Sequence, residues 1–218
     1  MKIFLDTADV DEIKSAYETG LIDGVTTNPT LIMRSGRDPV EVIKEISTKF
    51  TSLESISAEV VAETAEEMVE QAEAFRDRWN VTIKVPCTVE GLKACRKIAS
   101  SGKTVNVTLV FSVAQAILAE KAGAKYVSPF VGRWFDNSVD GIELIKNIRQ
   151  VYHGNERLCL TNILAASLRD VRQVEQCAKY GADVVTIPPI VFWGMYKNIM
   201  TDKGLELFQK DWEKANGL

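Results

Sequence analysis

The chain has 218 residues, of which 46% are hydrophobic and 26% are charged, a balance typical of an ordinary globular protein. This length falls in the range that α/β barrels occupy as one unit, so a single domain over residues 1–218 is expected. The formal net charge of −4 argues against a nucleic-acid partner but is compatible with a small basic pocket for an anionic metabolite.

Short strand-like runs alternate with longer helix-like runs from one end of the chain to the other. The predicted strands are Lys2 to Asp6, Val25 to Thr27, Ile56 to Val60, Thr82 to Pro86, Thr104 to Leu109, Tyr126 to Phe130, Asn162 to Ala166 and Asp183 to Ile187. Many are almost continuous in Val, Ile and Leu, which is typical of parallel strands covered by helices. Eight such units without a linker predict an α/β fold, a closed (β/α)8 TIM barrel.

The intervening segments carry the end signals of helices. Thr64 with Glu67, and Ser112 with Gln115, have the spacing of a capping box at a helix start. Three glycines occupy positions where a left-handed residue would end a helix, namely Gly102, Gly123 and Gly181. These signals alternate with the strands, as a barrel requires.

An extra C-terminal helix is predicted over 198–216, after the eighth strand. Phe208 and Trp212 are four residues apart and therefore lie on one face of this helix. That face is expected to pack on its own barrel or on a neighbouring subunit.

The alternative architecture is an open, doubly wound sheet. Such sheets usually bind nucleotides through a Gly-rich turn after the first strand. Here Thr7, Ala8 and Asp9 follow the first strand instead, which disfavours a nucleotide-binding fold without removing it.

Composition also argues against a membrane, metal or disulfide protein. The apolar stretch from Val184 to Tyr196 contains two prolines and is too short for a membrane span. The four cysteines lack a C-x-x-C pair and are expected as free thiols of a reducing cytoplasm. A metal-dependent route would need several histidines, and His153 is the only one. We therefore expect no metal.

Polar side chains collect where the predicted strands end, the face on which barrels place their active sites. These residues are Asp6, Thr27, Asn28, Glu59, Lys84, Asn106, Thr108, Ser128 and Ser167. Strand interiors seldom carry so many groups that need partners, so a shared polar cavity is the simplest explanation.

Lys84 is the most informative of these residues because its neighbours on the strand are apolar. If it points inward, loss of water would depress its pKa and make part of it a nucleophilic amine. On local pattern alone, an outward-pointing lysine on an edge strand is an equal alternative. Asp6 and Glu59 could supply acid and base chemistry at the same rim, with Thr108 holding a water, and this company favours the catalytic interpretation.

A phosphate site is indicated by Arg133 after the sixth strand and by Ser167 with Arg169 after the seventh. Arginine binds phosphate through paired hydrogen bonds, and barrels often hold phosphate in their later loops. Either arginine alone could be a solvated loop charge. Together with the serine they predict an anion-binding end of the cavity.

Six stretches resemble the transaldolase family, especially its short members, a group that also contains fructose-6-phosphate aldolase. They are FLDTAD at 4–9, GVTTNPTL at 24–31, IKVPCTVEGL at 83–92, NVTLVFSVAQA at 106–116, SPFVGR at 128–133 and AASLR at 165–169. They follow the family's order over most of the chain, which makes the resemblance specific.

The resemblance implies a role for each rim residue. Lys84 would form the Schiff base and serve as the electron sink, so no organic cofactor is implied. Asp6 would handle the proton of the substrate C4 hydroxyl. Glu59 and Thr108 would position the water of imine formation. The remaining roles fall into two sets: Asn28, Asn106 and Ser128 would hold the dihydroxyacetone hydroxyls, and Arg133, Ser167 and Arg169 the phosphate. Thr27 and Phe130 complete the predicted substrate-binding residues.

Two positions separate transfer from release within this group. Similar aldolases carry Gln where Glu59 stands and Tyr where Phe130 stands, and Gln cannot act as an acid or base. The predicted reaction therefore moves a dihydroxyacetone unit from fructose 6-phosphate or sedoheptulose 7-phosphate to erythrose 4-phosphate or glyceraldehyde 3-phosphate, in the pentose phosphate pathway. The alternatives are an aldolase that releases free dihydroxyacetone and a non-catalytic barrel that binds sugar phosphates.

Short relatives assemble into rings, often decamers, in which C-terminal helices cross between subunits. The resemblance thus implies a homo-oligomer, a decamer or a pentamer, whose only other partners are sugar-phosphate substrates.

Overall fold

The computed structural model describes residues 1–154 and 159–216, in which eight parallel strands pair in chain order and close into a barrel. The strands are β1 (Lys2–Asp6), β2 (Gly24–Thr26), β3 (Ser55–Glu59), β4 (Val81–Pro86), β5 (Val105–Val110), β6 (Tyr126–Pro129), β7 (Asn162–Ala165) and β8 (Val184–Ile187). Strand β1 pairs with both β2 and β8, which closes the ring. The predicted TIM barrel is confirmed, and the open sheet is wrong.

Helices cover the outside of the barrel. Within the described residues they are α1 (Val10–Tyr17), α2 (Pro29–Ser35), α3 (Pro39–Lys49), α4 (Ala65–Ala72), α5 (Val89–Ser100), α6 (Val113–Lys121), α7 (Val131–Phe135), α8 (Ile142–His153), α9 (Val171–Lys179), α10 (Pro189–Gly194) and α11 (Ile199–Ala215), with a 3-10 turn at Glu73–Phe75. Strand-ending loops thus carry three short helices, α2, α7 and α10, that the sequence patterns did not predict.

Most of the predicted helix ends are present. Thr64 and Glu67 form the capping box of α4. Gln115 departs from the expected pattern, because its side chain accepts from the backbone nitrogen of Phe111 rather than that of Ser112. The three predicted C-terminal glycines, Gly102, Gly123 and Gly181, have φ of 87°, 90° and 90°.

The barrel interior is filled at one level by apolar side chains. Phe4, Tyr126, Leu164 and Val184 belong to one buried cluster, which we call the plug layer. Gly24 makes room for it, since a Cβ there would lie 2.8 Å from the Phe4 ring. Each strand points alternate residues inward, so the next inward residues along these strands lie one level closer to the carboxyl ends.

Helix α11 confirms the predicted C-terminal helix, with Asn198 and Asn216 as its caps. None of its residues is buried, and Phe208 and Trp212 are 70% and 66% exposed. Over the described part of the chain, the structure contains no helix with the length and apolar character of a membrane span.

Candidate active site

A cavity of about 600 Å³ opens at the carboxyl ends of the strands, directly above the plug layer. All predicted site residues except Thr27 line it: Asp6, Asn28, Glu59, Lys84, Asn106, Thr108, Ser128, Phe130, Arg133, Ser167 and Arg169. The structure therefore brings together residues from seven strand ends. Their chemical roles stay predictions.

Lys84 points into the barrel and is 7% exposed. Its Nζ lies 2.9 Å from Glu59 Oε2 and donates to the Thr27 carbonyl oxygen at 3.3 Å. The pairing of Glu59 with Lys84, and of Lys84 with Asn106, places these three residues at one level of adjacent strands. The alternative of an outward-pointing edge lysine is therefore wrong.

Asp6 ends β1 beside this pair. Burial raises its pKa above the usual range, and this effect outweighs a hydrogen bond from Thr26 and the nearby Lys84 charge, both of which lower it. Thr26 Oγ1 donates to Asp6 Oδ1 at 2.7 Å, and the Thr186 hydroxyl lies within hydrogen-bond distance of Thr26. A carboxyl group with a raised pKa holds its proton more readily, which suits proton transfer to and from a substrate.

Strand β5 supplies two polar groups that need a ligand. Ser128 Oγ donates to Asn106 Oδ1 at 2.8 Å, so the Asn106 oxygen is satisfied. The Asn106 Nδ2 and Thr108 Oγ1 atoms are buried, and neither has a hydrogen-bond partner among the described residues. Such groups are rare in folded proteins, and in a cavity they point to bound substrate or water.

The backbone of β5 departs from regular strand pairing next to Thr108. The register of β5 against β6 shifts between Val107 and Val110, and Leu109 has a left-handed φ of 58°. Bulges next to active sites re-aim a side chain, and left-handed non-glycine residues are strained. Leu109 itself lines the cavity, so this strain lies at the candidate site.

The two predicted residues after β2, Thr27 and Asn28, have different positions relative to the cavity. Asn28 caps α2, its Oδ1 accepting from Leu31 N at 3.0 Å, and it lines the cavity. Thr27 does not line the cavity, because inward and outward residues alternate and Thr26 takes the inward position. The Thr27 hydroxyl donates instead to the Ser57 carbonyl oxygen at 2.8 Å. Thr27 reaches the site only through its backbone carbonyl.

The predicted phosphate residues lie together at one end of the cavity. The Arg133 guanidinium lies 4.9 Å from the centre of the Phe130 ring. Arg169 Nη2 donates to Asp136 Oδ2 at 2.7 Å. Ser167 has a left-handed φ of 63°, and its carbonyl oxygen would lie 1.7 Å from a Cβ at Gly132. Glycine at position 132 therefore allows α7 to pack against the Ser167 loop.

Sequence reasoning missed several cavity residues, among them Thr26, Thr186 and Arg34. Strand alternation was the available signal for the two threonines, since each lies on the inward face of its strand. No comparable signal marks Arg34, which is an exposed residue of α2. Among the described residues, no group of three or more His, Cys, Asp or Glu side chains could hold a metal ion.

These features define a (β/α)8 barrel with a buried lysine paired to a carboxylate, in a cavity with several arginines at the carboxyl ends of the strands, the usual position of a barrel active site. Residues 3–218 match the family model described as transaldolase/fructose-6-phosphate aldolase, and the chain belongs to this family.

Curated relatives match over nearly the whole chain. A protein named probable transaldolase from Chelativorans sp. is 52% identical and is aligned over 99% of this chain and 98% of its own length. Probable transaldolases of Cereibacter sphaeroides and Brucella ovis are each 50% identical over 99% of this chain and over 97% and 98% of their own lengths.

A solved structure of a cube-shaped, porous protein cage, designed by fusing symmetric oligomeric domains, superposes with a TM-score of 0.63. Its identity is 16%, and the match covers 99% of this chain and 78% of that one. This likeness concerns the fold alone.

Proposed function

We propose that the protein is a class I transaldolase that transfers a dihydroxyacetone unit through a Schiff base on Lys84. The donor is fructose 6-phosphate or sedoheptulose 7-phosphate, and the acceptor is erythrose 4-phosphate or glyceraldehyde 3-phosphate, as in the pentose phosphate pathway. The observation that carries the proposal is the 2.9 Å contact between the buried Lys84 and the partly buried Glu59 inside the barrel. The names of the curated relatives support transfer as the reaction.

The first step forms the imine. A proton moves from the Lys84 ammonium to Glu59 along their contact, and the freed amine attacks C2 of the ketose. The resulting carbinolamine loses its C2 oxygen as water, with Glu59 returning the proton. Thr108, whose hydroxyl has no partner among the described residues, holds this water.

The second step breaks and remakes a carbon–carbon bond. Asp6 removes the proton of the C4 hydroxyl, the C3–C4 bond breaks, and its electron pair flows into the iminium to give an enamine. The aldose phosphate leaves, and the enamine carbon attacks the aldehyde of the acceptor while Asp6 returns the proton. The raised pKa of Asp6 suits both directions of this transfer.

The dihydroxyacetone unit stays bound between the two half-reactions. Asn28, Asn106 and Ser128, which line the cavity around Lys84, hold its hydroxyls. Phe130 places an apolar ring where a tyrosine hydroxyl would orient water, and this favours transfer over hydrolysis. Arg133, Ser167 and Arg169 bind the phosphate of the donor and of the acceptor.

Borohydride reduction in the presence of fructose 6-phosphate, followed by peptide mass mapping, tests the proposal. We expect a reduced dihydroxyacetone adduct on the peptide that contains Lys84, and no adduct in Lys84→Ala. Lys103→Ala is the matched control, because Lys103 is a partly buried lysine outside the cavity, and it should retain the adduct. An adduct on another residue, or none during measurable turnover, would overturn the proposal.

A requirement for acceptor separates transfer from aldol cleavage. Turnover of fructose 6-phosphate should depend on erythrose 4-phosphate. Free dihydroxyacetone formed at a comparable rate without acceptor would make the protein an aldolase instead.

The proposal includes a homo-oligomer, a decamer or a pentamer. Its support is α11, whose exposed apolar residues include Leu205, Phe208 and Trp212 and would be covered by another subunit. Light scattering coupled to size-exclusion chromatography measures the subunit number.

The proposed compartment is the cytoplasm, since the four cysteines are free thiols.

A further inference from the structure

Arg34 is a cavity residue to which neither the sequence patterns nor the family resemblance gave a role. It lies in the last turn of α2, which begins after Asn28 and ends at Gly36, a residue with a left-handed φ of 67°. The Arg34 side chain lines the same cavity as Lys84 and Arg133. It makes no ion pair or hydrogen bond within the part of the chain that the structure describes.

The arginine three residues later behaves differently. Arg37 Nη2 lies 2.6 Å from Glu45 Oε2, in an ion pair on the surface, and Arg37 does not line the cavity. Two arginines three residues apart, one in the last turn of α2 and one just after it, therefore have different environments. Arg37 is neutralised by Glu45, whereas Arg34 presents its charge to the cavity.

The phosphate end of the cavity has less net positive charge than its two arginines alone would give. A phosphate monoester carries a charge of about −1.5 to −2 near neutral pH. At the predicted phosphate end, Arg133 contributes a full positive charge, but Arg169 already shares its charge with Asp136 at 2.7 Å. The side chains at this end therefore offer less positive charge than a bound phosphate would bring.

Arg34 approaches from the other side of the cavity mouth. In the closed strand order, β2 is four strands away from β6, so the loops that carry Arg34 and Arg133 face each other across the barrel. A phosphate has three terminal oxygens, which can accept from more than one guanidinium group. A third arginine can thus bind the phosphate without displacing the first two.

We propose that Arg34 is a substrate-binding residue. Its guanidinium group binds the phosphate of the sugar from the opposite side of the cavity opening and, together with Arg133 and Arg169, neutralises the phosphate charge. This inference deepens the proposed function, because it takes a sugar phosphate as the ligand of the cavity. It does not depend on imine formation at Lys84. Arg34 would accordingly distinguish phosphorylated sugars from unphosphorylated ones.

The test uses glucitol 6-phosphate, an open-chain polyol phosphate that lacks a carbonyl and so cannot form an imine. Calorimetric titration would compare the wild type, Arg34→Gln and Arg37→Gln at one fixed, low ionic strength. Loss of a charge-assisted hydrogen bond predicts that Arg34→Gln weakens binding by about tenfold to a hundredfold. Arg37→Gln should stay within about twofold of the wild type, since rim charges already paired contribute little.

A second ligand shows whether the effect concerns the phosphate. Binding of unphosphorylated glucitol should be the same in Arg34→Gln and in the wild type. Equal weakening for both ligands, no weakening for the phosphate, or no binding of the phosphate by the wild type would each overturn the inference. A weakened phosphate complex without a Lys84 adduct in the trapping experiment would reject the proposed reaction and leave the role of Arg34 standing.

Discussion

Two levels of the barrel interior come from the same strands and have opposite character. Strand β1 contributes Phe4 to the plug layer and Asp6 to the cavity, and β6 contributes Tyr126 and then Ser128. The members of each pair are two residues apart and therefore share the inward face. A distance of two residues along a strand thus separates the apolar plug layer from the candidate active site.

The two levels differ in how completely their groups are satisfied. In the plug layer, the rings of Phe4 and Tyr126 pack edge to face at 5.7 Å, and the Tyr126 hydroxyl donates to Glu54 at 3.2 Å. In the cavity, polar atoms of Asn106 and Thr108 are buried without partners among the described residues. The comparison indicates that the plug layer holds the barrel closed, whereas the cavity keeps unsatisfied groups for a ligand at some loss of stability.

Phe4→Ala should have the largest effect on stability, because Phe4 is fully buried at the centre of the plug layer. Removing a buried aromatic ring should lower the free energy of unfolding by about 3–5 kcal/mol. Guanidinium unfolding measures this loss. Trp79→Ala is the control, since Trp79 is 70% exposed and its replacement should change stability by about 0.5 kcal/mol or less. Similar losses in both variants would remove the special role of the plug layer.

Asp6→Asn, in contrast to Phe4→Ala, should stabilise the protein near neutral pH. Because burial raises the pKa of Asp6, the folded state binds the proton more tightly than the unfolded state. The stabilising contribution of the protonated form is complete below the unfolded pKa and is lost as pH rises through the folded pKa. Above that range the buried charge opposes folding, and its removal should raise the free energy of unfolding by about 1 kcal/mol.

Unfolding measured across the acidic and neutral range checks the sign of this effect. The gain of Asp6→Asn over the wild type should be small in acid and grow as pH rises. If Asp6 transfers the C4 proton, the same variant should lose about 10²-fold to 10⁴-fold in turnover. Lower stability of the variant at neutral pH would contradict the idea that the cavity gives up stability for its chemistry.

The fold was predictable because every strand shows its own hydrophobic run. Each of the eight predicted strands lies within one residue of its observed bounds. Side-chain direction was less predictable, since an error of one residue reverses it. Thr27 was chosen as a substrate-binding residue where Thr26 faces the cavity, and only the pairing of Asp6 with Thr26 fixes that choice.

The strand residues of the cavity, such as Lys84 and Glu59, were easier to predict than Arg34 at the cavity opening. Lys84 and Glu59 stand out because charged residues are unusual in apolar strands. Arg34 and Arg37 look alike in the sequence, as charged residues next to one surface helix. Only the folded chain pairs Arg37 with Glu45 and turns Arg34 to the cavity, so no local pattern could separate them.

Ser167→Gly gives the smallest expected change and tests whether the cavity mouth also stores strain. Ser167 has a φ of 63°, and Ser138 has a φ of 60° in an exposed turn outside the cavity. Glycine adopts this conformation without steric cost but is less restricted when unfolded, so each replacement should stabilise by about 0.5 kcal/mol. The two variants should differ in ligand binding, because Ser167→Gly also removes a proposed phosphate donor. We expect weaker binding of glucitol 6-phosphate by Ser167→Gly alone. Equal affinities in both variants would show that Ser167 does not contribute to phosphate binding, whatever strain its backbone carries.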